Sequence, residues 1–281
     1  MRIGYQGVPG SYSEASLSDY VEKNIEKQTL TEAVSYSNFK DLVDDLIADE
    51  LDSVVVPVEN STTGIIARVM DLLRYQPLIA IAEIYQPVKH ALWGVKGSTI
   101  ESVREVYSHP EALSQCEKLF VDHPHFSSNA YEDTAKAAAY IKEMNQADKA
   151  AIASLRAGEL YGLEPLAVNI QNEESNMTRF YVMERHKEVT YQGDKISFYV
   201  ETRHVSGALS KIMQVFDVFQ CNMVSLNARP IENQPFTYGF FLEVDTANMK
   251  VPVESLIKSL EINSHYLQVL GNFKAANPVE M

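Results

Sequence analysis

Two polar runs carry the residue types suited to holding an anion without a strong acid or base. One is Pro57-Val58-Glu59-Asn60-Ser61-Thr62-Thr63-Gly64; the other is Glu174-Ser175-Asn176-Met177-Thr178-Arg179-Phe180. Each sets hydroxyls and amides where an apolar strand meets a loop. Neither carries the histidines or metal-ligand spacings that commonly run hydrolysis, and neither a metal nor a cofactor is expected. Such a site positions and hydrogen-bonds a substrate that supplies most of its own driving force.

Each cluster also has a plainer use. The hydroxyls and amide of residues 60–64, with the free N–H groups of a following helix, form an anion seat, or they simply cap that helix. In Ser108-His109-Pro110-Glu111-Ala112-Leu113-Ser114-Gln115, Ser108 closes a strand and Pro110 sits where a helix starts, with Gln115 near its entrance. Ser108 there is a cap or a ligand, and His109 a solvated side chain or an acid. Thr178 suits any strand start. Arg179 meets a carboxylate ligand bidentately or pairs with Glu173 or Glu174. Phe180 is core or a wall for an apolar ring. Gly207-Ala208-Leu209, after Arg203-His204-Val205-Ser206, opens a helix and lets a ligand, a second chain or a neighbouring strand come close. Asn222 to Pro230 lies beside it in the same C-terminal segment.

The elements that position these runs follow from periodicity. Residues 2–6 read as a strand, and Ser11 or Ser13 caps a helix to about residue 23. A strand near 30–36 leads to a helix at about 38–49, where Phe39, Leu42, Val43, Leu46 and Ile47 recur at helical spacing. The continuous apolar run 53–58 is typical of a buried strand, and a helix at about 65–75 follows it. The order β-α-β-α-β-α predicts a doubly wound α/β lobe over 1–77. Strands at 78–94, 103–108, 126–130, 149–153 and 165–170, with helices at 111–121, 132–145 and 154–161, predict a second lobe over 78–170. The strand 178–184 returns to the first lobe with residues 171–185, leaving a cleft between the lobes. Residues 186–194 read as a linker. Beyond them, 195–275 has the β-α-β-β-α-β order of a ferredoxin-like module.

The chain has 281 residues, too many for one compact core. Its hydrophobic content of 46% and charged content of 22% are those of a globular protein. A net charge of −14 argues against a nucleic-acid partner. Cys116 and Cys221 are far apart in apolar segments and read as free thiols. No apolar run is long enough to span a bilayer, so no membrane partner is expected. Residues 2–6 enter a strand at once, which predicts a cytoplasmic protein without a signal peptide.

Taken in order, the Gly7 to Tyr12 loop, residues 57–64, Ser108-His109-Pro110 with Gln115, and Thr178-Arg179-Phe180 resemble the prephenate dehydratase family followed by an ACT regulatory domain. The resemblance runs to about residue 273, and the form without a preceding chorismate mutase bundle is expected. It implies two α/β lobes arranged as in periplasmic binding proteins. It implies a lyase that turns prephenate into phenylpyruvate, carbon dioxide and water in phenylalanine biosynthesis. Thr178 falls on the family's essential Thr; Asn60, Ser108 and Gln115 fall on its other active-site polar residues, with Ser61, Thr62, Arg179 and Phe180 as substrate contacts. Phenylalanine is the implied effector, at Gly207, Ala208, Leu209, Asn222 and Asn227 of paired ACT domains, in a homodimer or homotetramer. The family's Glu-Ser-Arg-Pro segment is here Asn227-Ala228-Arg229-Pro230, which predicts weakened phenylalanine feedback or another effector. Arogenate dehydratase is the alternative activity, and a non-catalytic anion or amino-acid sensor the alternative outside enzymes.

Overall fold

The computed structural model describes residues 1–26, 29–186 and 191–278. In chain order its elements are β1 (Arg2–Gln6), α1 (Tyr12–Asn24), β2 (Glu32–Tyr36), α2 (Phe39–Ile47), β3 (Ser53–Asn60), β4 (Gly64–Ile65), α3 (Ala67–Leu73), β5 (Leu78–Pro87), β6 (Ala91–Gly94) and β7 (Glu105–Ser108). They continue as α4 (Pro110–Gln115), α5 (Glu117–Asp122), β8 (Ser127–Ala130), α6 (Thr134–Met144), β9 (Lys149–Ala153), α7 (Leu155–Leu160), β10 (Glu164–Val168) and β11 (Met177–Arg185). The C-terminal part holds β12 (Lys195–Glu201), α8 (Ala208–Val218), β13 (Asn222–Pro230), β14 (Tyr238–Asp245), α9 (Val253–Asn263) and β15 (Tyr266–Phe273). The fold is mixed α/β. Among the described residues no helix is long and apolar enough to cross a membrane.

Contacts divide the chain into two compact units. The first gathers Met1–Leu42, Asn60–Thr63 and Gln86–Arg179. Within it β1 and β2 pair in parallel, and a five-stranded sheet runs β10-β6-β9-β7-β8. That sheet is mixed, because β6 runs antiparallel to both β9 and β10 while β7 is parallel to β8 and β9. Its strands alternate in the two-residue period of a sheet covered on both faces. Ala91, Trp93, Ala151 and Ala153 pack into one buried cluster with α6; Leu92, Ala150 and Ile152 pack into another with Cys116 and Phe126. Three of the unit's helices begin where hydroxyl or carboxylate side chains meet their first N–H groups. Ser11 caps α1, Asp133 caps α6 and Ser154 caps α7. Of the two serines that the sequence offers for α1, it is Ser11 that caps.

The second unit holds Val43–Glu59, Gly64–Tyr85 and Phe180 onward. Its strands follow the order β13-β14-β12-β15-β5-β11-β3. Elements β12 to β15 with α8 and α9 have the order β-α-β-β-α-β, and the strand pairs β12–β14, β12–β15 and β13–β14 are each antiparallel. Ile196, Phe198, Val200, Leu242 and Val244 face Ile212, Phe216, Leu256 and Leu260 of the two helices. Burying one such side chain contributes about 1.5–3 kcal/mol.

Three local readings change. The apolar run 78–94 is two strands, interrupted at residues 88–90. The helix expected at 111–121 is split at Cys116, whose φ of −116° and ψ of 25° leave the helical region. The helix expected from residue 65 starts at Ala67, because Gly64 and Ile65 turn back as β4 and pair with β3. Of the linker expected at 186–194, residues 187–190 lie outside the described residues. Both cysteines are free; burial pushes the Cys116 thiol up to about 12 and the Cys221 thiol up to about 11.

Candidate active site

Asn60 ends β3 and is 8% exposed. The two hydrogens of its Nδ2 are shared among three acceptors, Asn176 Oδ1 at 2.8 Å, the Met177 carbonyl at 3.1 Å and Thr178 Oγ1 at 3.1 Å. Its Oδ1 accepts from the backbone N–H of Thr62 and Thr63, at 3.0 and 3.1 Å. One amide thus spends both ends on structure. The helix-terminal anion seat expected at 60–64 is not formed, because these N–H groups already serve Asn60 and α3 starts later. Ser61 closes the other side. Its N–H donates to the Met177 carbonyl at 2.8 Å, and its Oγ accepts from the Met177 N–H at 2.9 Å. Thr62 is exposed beside it.

The arrangement settles what Thr178 has to offer. Its oxygen receives a proton from the Asn60 amide, so its own O–H remains a donor. The buried amide thus fixes the position of the Thr178 oxygen and leaves the hydroxyl able to donate to a ligand.

A second group in the same unit surrounds His90, which is 2% exposed. His90 Nε2 lies 3.1 Å from Gln115 Oε1, and Nδ1 lies 3.4 Å from the Tyr12 hydroxyl. Tyr12 sends its proton to the Lys89 carbonyl at 2.6 Å, and its ring meets His90 edge-on with centroids 5.9 Å apart. Burial holds the His90 pKa below its ordinary value, against the opposing pull of the Gln115 carbonyl. Burial therefore favours the neutral ring. Burial likewise raises the pKa of Tyr12. Gln115 Nε2 donates to Glu111 Oε1 at 3.2 Å along α4.

The two groups share one scaffold. Residues 88–90 bond to the loop that leads into β11: the Val88 N–H to the Asn176 carbonyl at 2.9 Å, the His90 N–H to Gln171 Oε1 at 3.0 Å, and the Ile170 N–H to the His90 carbonyl at 3.1 Å. The Asn172 N–H meets the Gln115 carbonyl at 2.7 Å. Asn176, which touches Asn60, is thus tied to a residue two places from His90.

Ser108 is fully buried, and its Oγ donates to the Ile152 carbonyl at 2.6 Å. Its hydroxyl faces into the sheet and fixes the end of β7 just before α4. His109 is exposed and caps α4 by accepting from the Glu111 N–H at 3.2 Å. Arg179 and Phe180 are buried in β11. Gly207 starts α8 with φ of 77°, a conformation natural to glycine, and lies with Ala208 and Leu209 at a cavity of about 500 Å³ that Arg203, His204 and Ser206 also line. Asn222 and Asn227 lie on β13.

Sequence reasoning missed His90, Asn172, Asn176 as partners, and Tyr12 beyond its place in a loop. A histidine inside an apolar strand-like run reads as core. The only local signal was the break at residues 88–90, which periodicity does not register.

Hydroxyls and amides gathered on a mixed α/β unit, in a chain with a C-terminal βαββαβ segment, define a polar site equipped to hydrogen-bond a small ligand. The prephenate dehydratase profile matches residues 3–188. The chain is 32% identical over 292 residues to arogenate dehydratase 1 of Petunia hybrida, covering 97% of this chain and 66% of that one. It is 30% identical over 281 residues to the bifunctional chorismate mutase/prephenate dehydratase of Enterobacter agglomerans, covering 99% and 72%. The prephenate dehydratase of Arthrobacter aurescens, solved in complex with L-Phe, superposes with a TM-score of 0.87 at 23% identity, covering 98% and 90%. The chain belongs to the prephenate dehydratase family. It spans about two thirds of the petunia relative's length.

Proposed function

We propose that this chain converts prephenate to phenylpyruvate. The ring carboxylate leaves as carbon dioxide, its bonding electrons enter the ring, and the C–O bond on the opposite ring carbon breaks. The departing hydroxide takes one proton and becomes water, so each turnover consumes a proton. Aromatisation supplies the driving force. Thr178 donates a hydrogen bond to the departing oxygen, and Asn60 holds Thr178 in place. The proton itself comes through water or a relay, because an alcohol is too weak an acid to deliver it unaided. Gln115 orients the substrate, and Ser61, Thr62, Arg179 and Phe180 complete the surroundings. Ser108 supports this from the sheet, by holding the start of the helix that carries Gln115.

The observation that carries this reading is the 3.1 Å contact from the Asn60 amide to Thr178 Oγ1, which leaves the threonine proton for a ligand. Thr178→Val keeps shape and removes that donor. Asn60 retains its other two acceptors, so the variant folds. Its turnover, followed by phenylpyruvate absorbance, falls about a hundred- to a thousand-fold. Near-normal turnover would sink the assignment. Arogenate, with an amine in place of the keto group, is the second reading, favoured by the petunia relative. The ratio of turnovers on the two substrates decides between them.

The same proposal divides the chain into a catalytic part, 1–185, made of lobes over 1–77 with 171–185 and over 78–170, and an ACT domain, 195–275. The βαββαβ order supports the second part. The cavity at Gly207, Ala208 and Leu209, and the L-Phe complex of the Arthrobacter relative, support phenylalanine as effector. The edge strand β13, with Val224 and Leu226 exposed, supports pairing of ACT domains in a homodimer, and of dimers in a tetramer. Arg229 supports a structural part for its segment, since it grips Asp71 at 3.2 and 2.6 Å.

A further inference from the structure

We propose that His90 is a positioning residue which fixes the end of the Gln115 amide that faces the substrate. The inference rests on the reading of Gln115 as a substrate-binding group and adds a residue to it. An amide oxygen accepts and never donates. The imidazole nitrogen 3.1 Å from Gln115 Oε1 therefore carries the proton, and the ring is the Nε2–H tautomer. At its other end the Gln115 amide donates one N–H to Glu111 Oε1 at 3.2 Å. Turning the amide over would set its oxygen against that carboxylate, and would require the imidazole to move its proton to Nδ1, where the Tyr12 oxygen lies at 3.4 Å. Glu111 selects the orientation, the His90 N–H holds it, and the second N–H of Gln115 is left as the group on offer. That N–H suits an acceptor such as a carboxylate or keto oxygen.

His90 is itself held. Its backbone N–H and carbonyl bond to Gln171 and Ile170, and the Tyr12 ring packs on its edge. Tyr12 donates to the Lys89 carbonyl at 2.6 Å, so its proton does not compete for the imidazole. A buried residue held twice at its backbone and once at its ring edge holds the end of a flexible glutamine more tightly than solvent does.

The test is a double-mutant cycle on prephenate turnover with His90→Leu, Gln115→Leu and the double variant, together with His90→Gln, which restores a donor near the Nε2 position. Gln115→Leu lowers kcat/KM about tenfold or more, and His90→Leu lowers it by a similar factor. The double variant loses no more than Gln115→Leu alone, and His90→Gln recovers most of the loss. Losses that multiply in the double variant, or no recovery with His90→Gln, overturn the proposal, since a merely structural His90 behaves that way. A neutral Gln115→Leu instead removes the reading of Gln115, and the inference with it. Should His90→Leu fail to fold, nitrogen NMR of the unmodified protein's imidazole decides alone. The Nε2–H tautomer, shifted on addition of phenylpyruvate, supports the proposal; the Nδ1–H tautomer, or no response to phenylpyruvate, overturns it.

Discussion

Asn60 works through both ends of one amide, so replacing that amide shows what the residue does. Asn60→Asp keeps the shape and the Oδ1 that accepts from Thr62 and Thr63. It replaces the donor with an acceptor, facing Asn176 Oδ1, the Met177 carbonyl and Thr178 Oγ1. Thr178 then turns its proton to the new carboxylate, and a charge is placed beside a dianionic substrate. Asn176 Oδ1 loses its donor in a buried setting, which costs about 1–3 kcal/mol, while the Met177 carbonyl keeps the Ser61 N–H. We expect a lower thermal midpoint and a fall in turnover of at least about a hundredfold. Full activity in Asn60→Asp would show that Thr178 needs no such orientation. Residue types at this site were legible in the sequence; the bonds among them were not. Asn60 and Thr178 stand out because hydroxyls and amides gather at strand ends. That one amide joins them across 118 positions depends on β3 and β11 meeting at their ends, which no local pattern encodes.

At the scale of elements, α4 and α5 show why boundaries are the harder part. The apolar spacing of residues 111–121 continues through Cys116, so a single helix is the natural reading. The break comes from elsewhere in the chain: Asn172 gives its N–H to the Gln115 carbonyl and takes the Lys118 N–H on its Oδ1 at 3.2 Å. One residue 56 positions beyond Cys116 thus bonds both helices, α4 through its backbone N–H and α5 through its side-chain oxygen, and residue-by-residue propensity does not see it. Helix α7 was more legible, since Ser154 marks its start. What the sequence did not reveal is why it carries Gly158. A Cβ at Gly158 would sit 2.1 Å from the Trp93 ring, so α7 lies directly on the indole of β6. The backbone there is ordinary helix, and space alone demands glycine. Gly158→Ala therefore gains helix propensity, worth up to about 1 kcal/mol, but forces Trp93 or α7 to move, which costs about 1–3 kcal/mol. The steric cost wins, and the denaturant midpoint falls. A midpoint that rises would mean that the helix–sheet spacing relaxes freely.

On the scale of the whole chain, the order of elements was readable through to residue 273, but not which strands become neighbours. The β-α-β-β-α-β segment reads as self-contained, yet β15 also lies beside β5, pairing in parallel at Gly271 and Ala80. Contact there is close: a Cβ on Gly271 would stand 2.7 Å from that of Ala80. Lys195, Glu83 and Glu243 sit in strands where charges are expected to face solvent, and instead they are buried together in the second unit. Lys195 Nζ holds Glu83 at 3.1 and 2.9 Å and approaches Glu243 at 3.9 Å. Glu83 also accepts from the Ala276 N–H, and the Tyr181 hydroxyl donates to Glu243. Strands β5, β12 and β14 are thereby joined through one ammonium group, and β11 is tied in by the Tyr181 bond to Glu243. Lys195→Met fills the space but leaves two carboxylates without their cation, and breaking a buried pair on one side costs about 3–5 kcal/mol. Lys195→Met combined with Glu83→Gln removes one of the stranded charges and recovers a large part of that loss. Urea unfolding of the three proteins reads the difference as shifts in midpoint at constant slope. A single variant as stable as the parent would show that water reaches these carboxylates, and that apolar packing between the strands, not the buried lysine, joins β12 and β14 to β5 and β11.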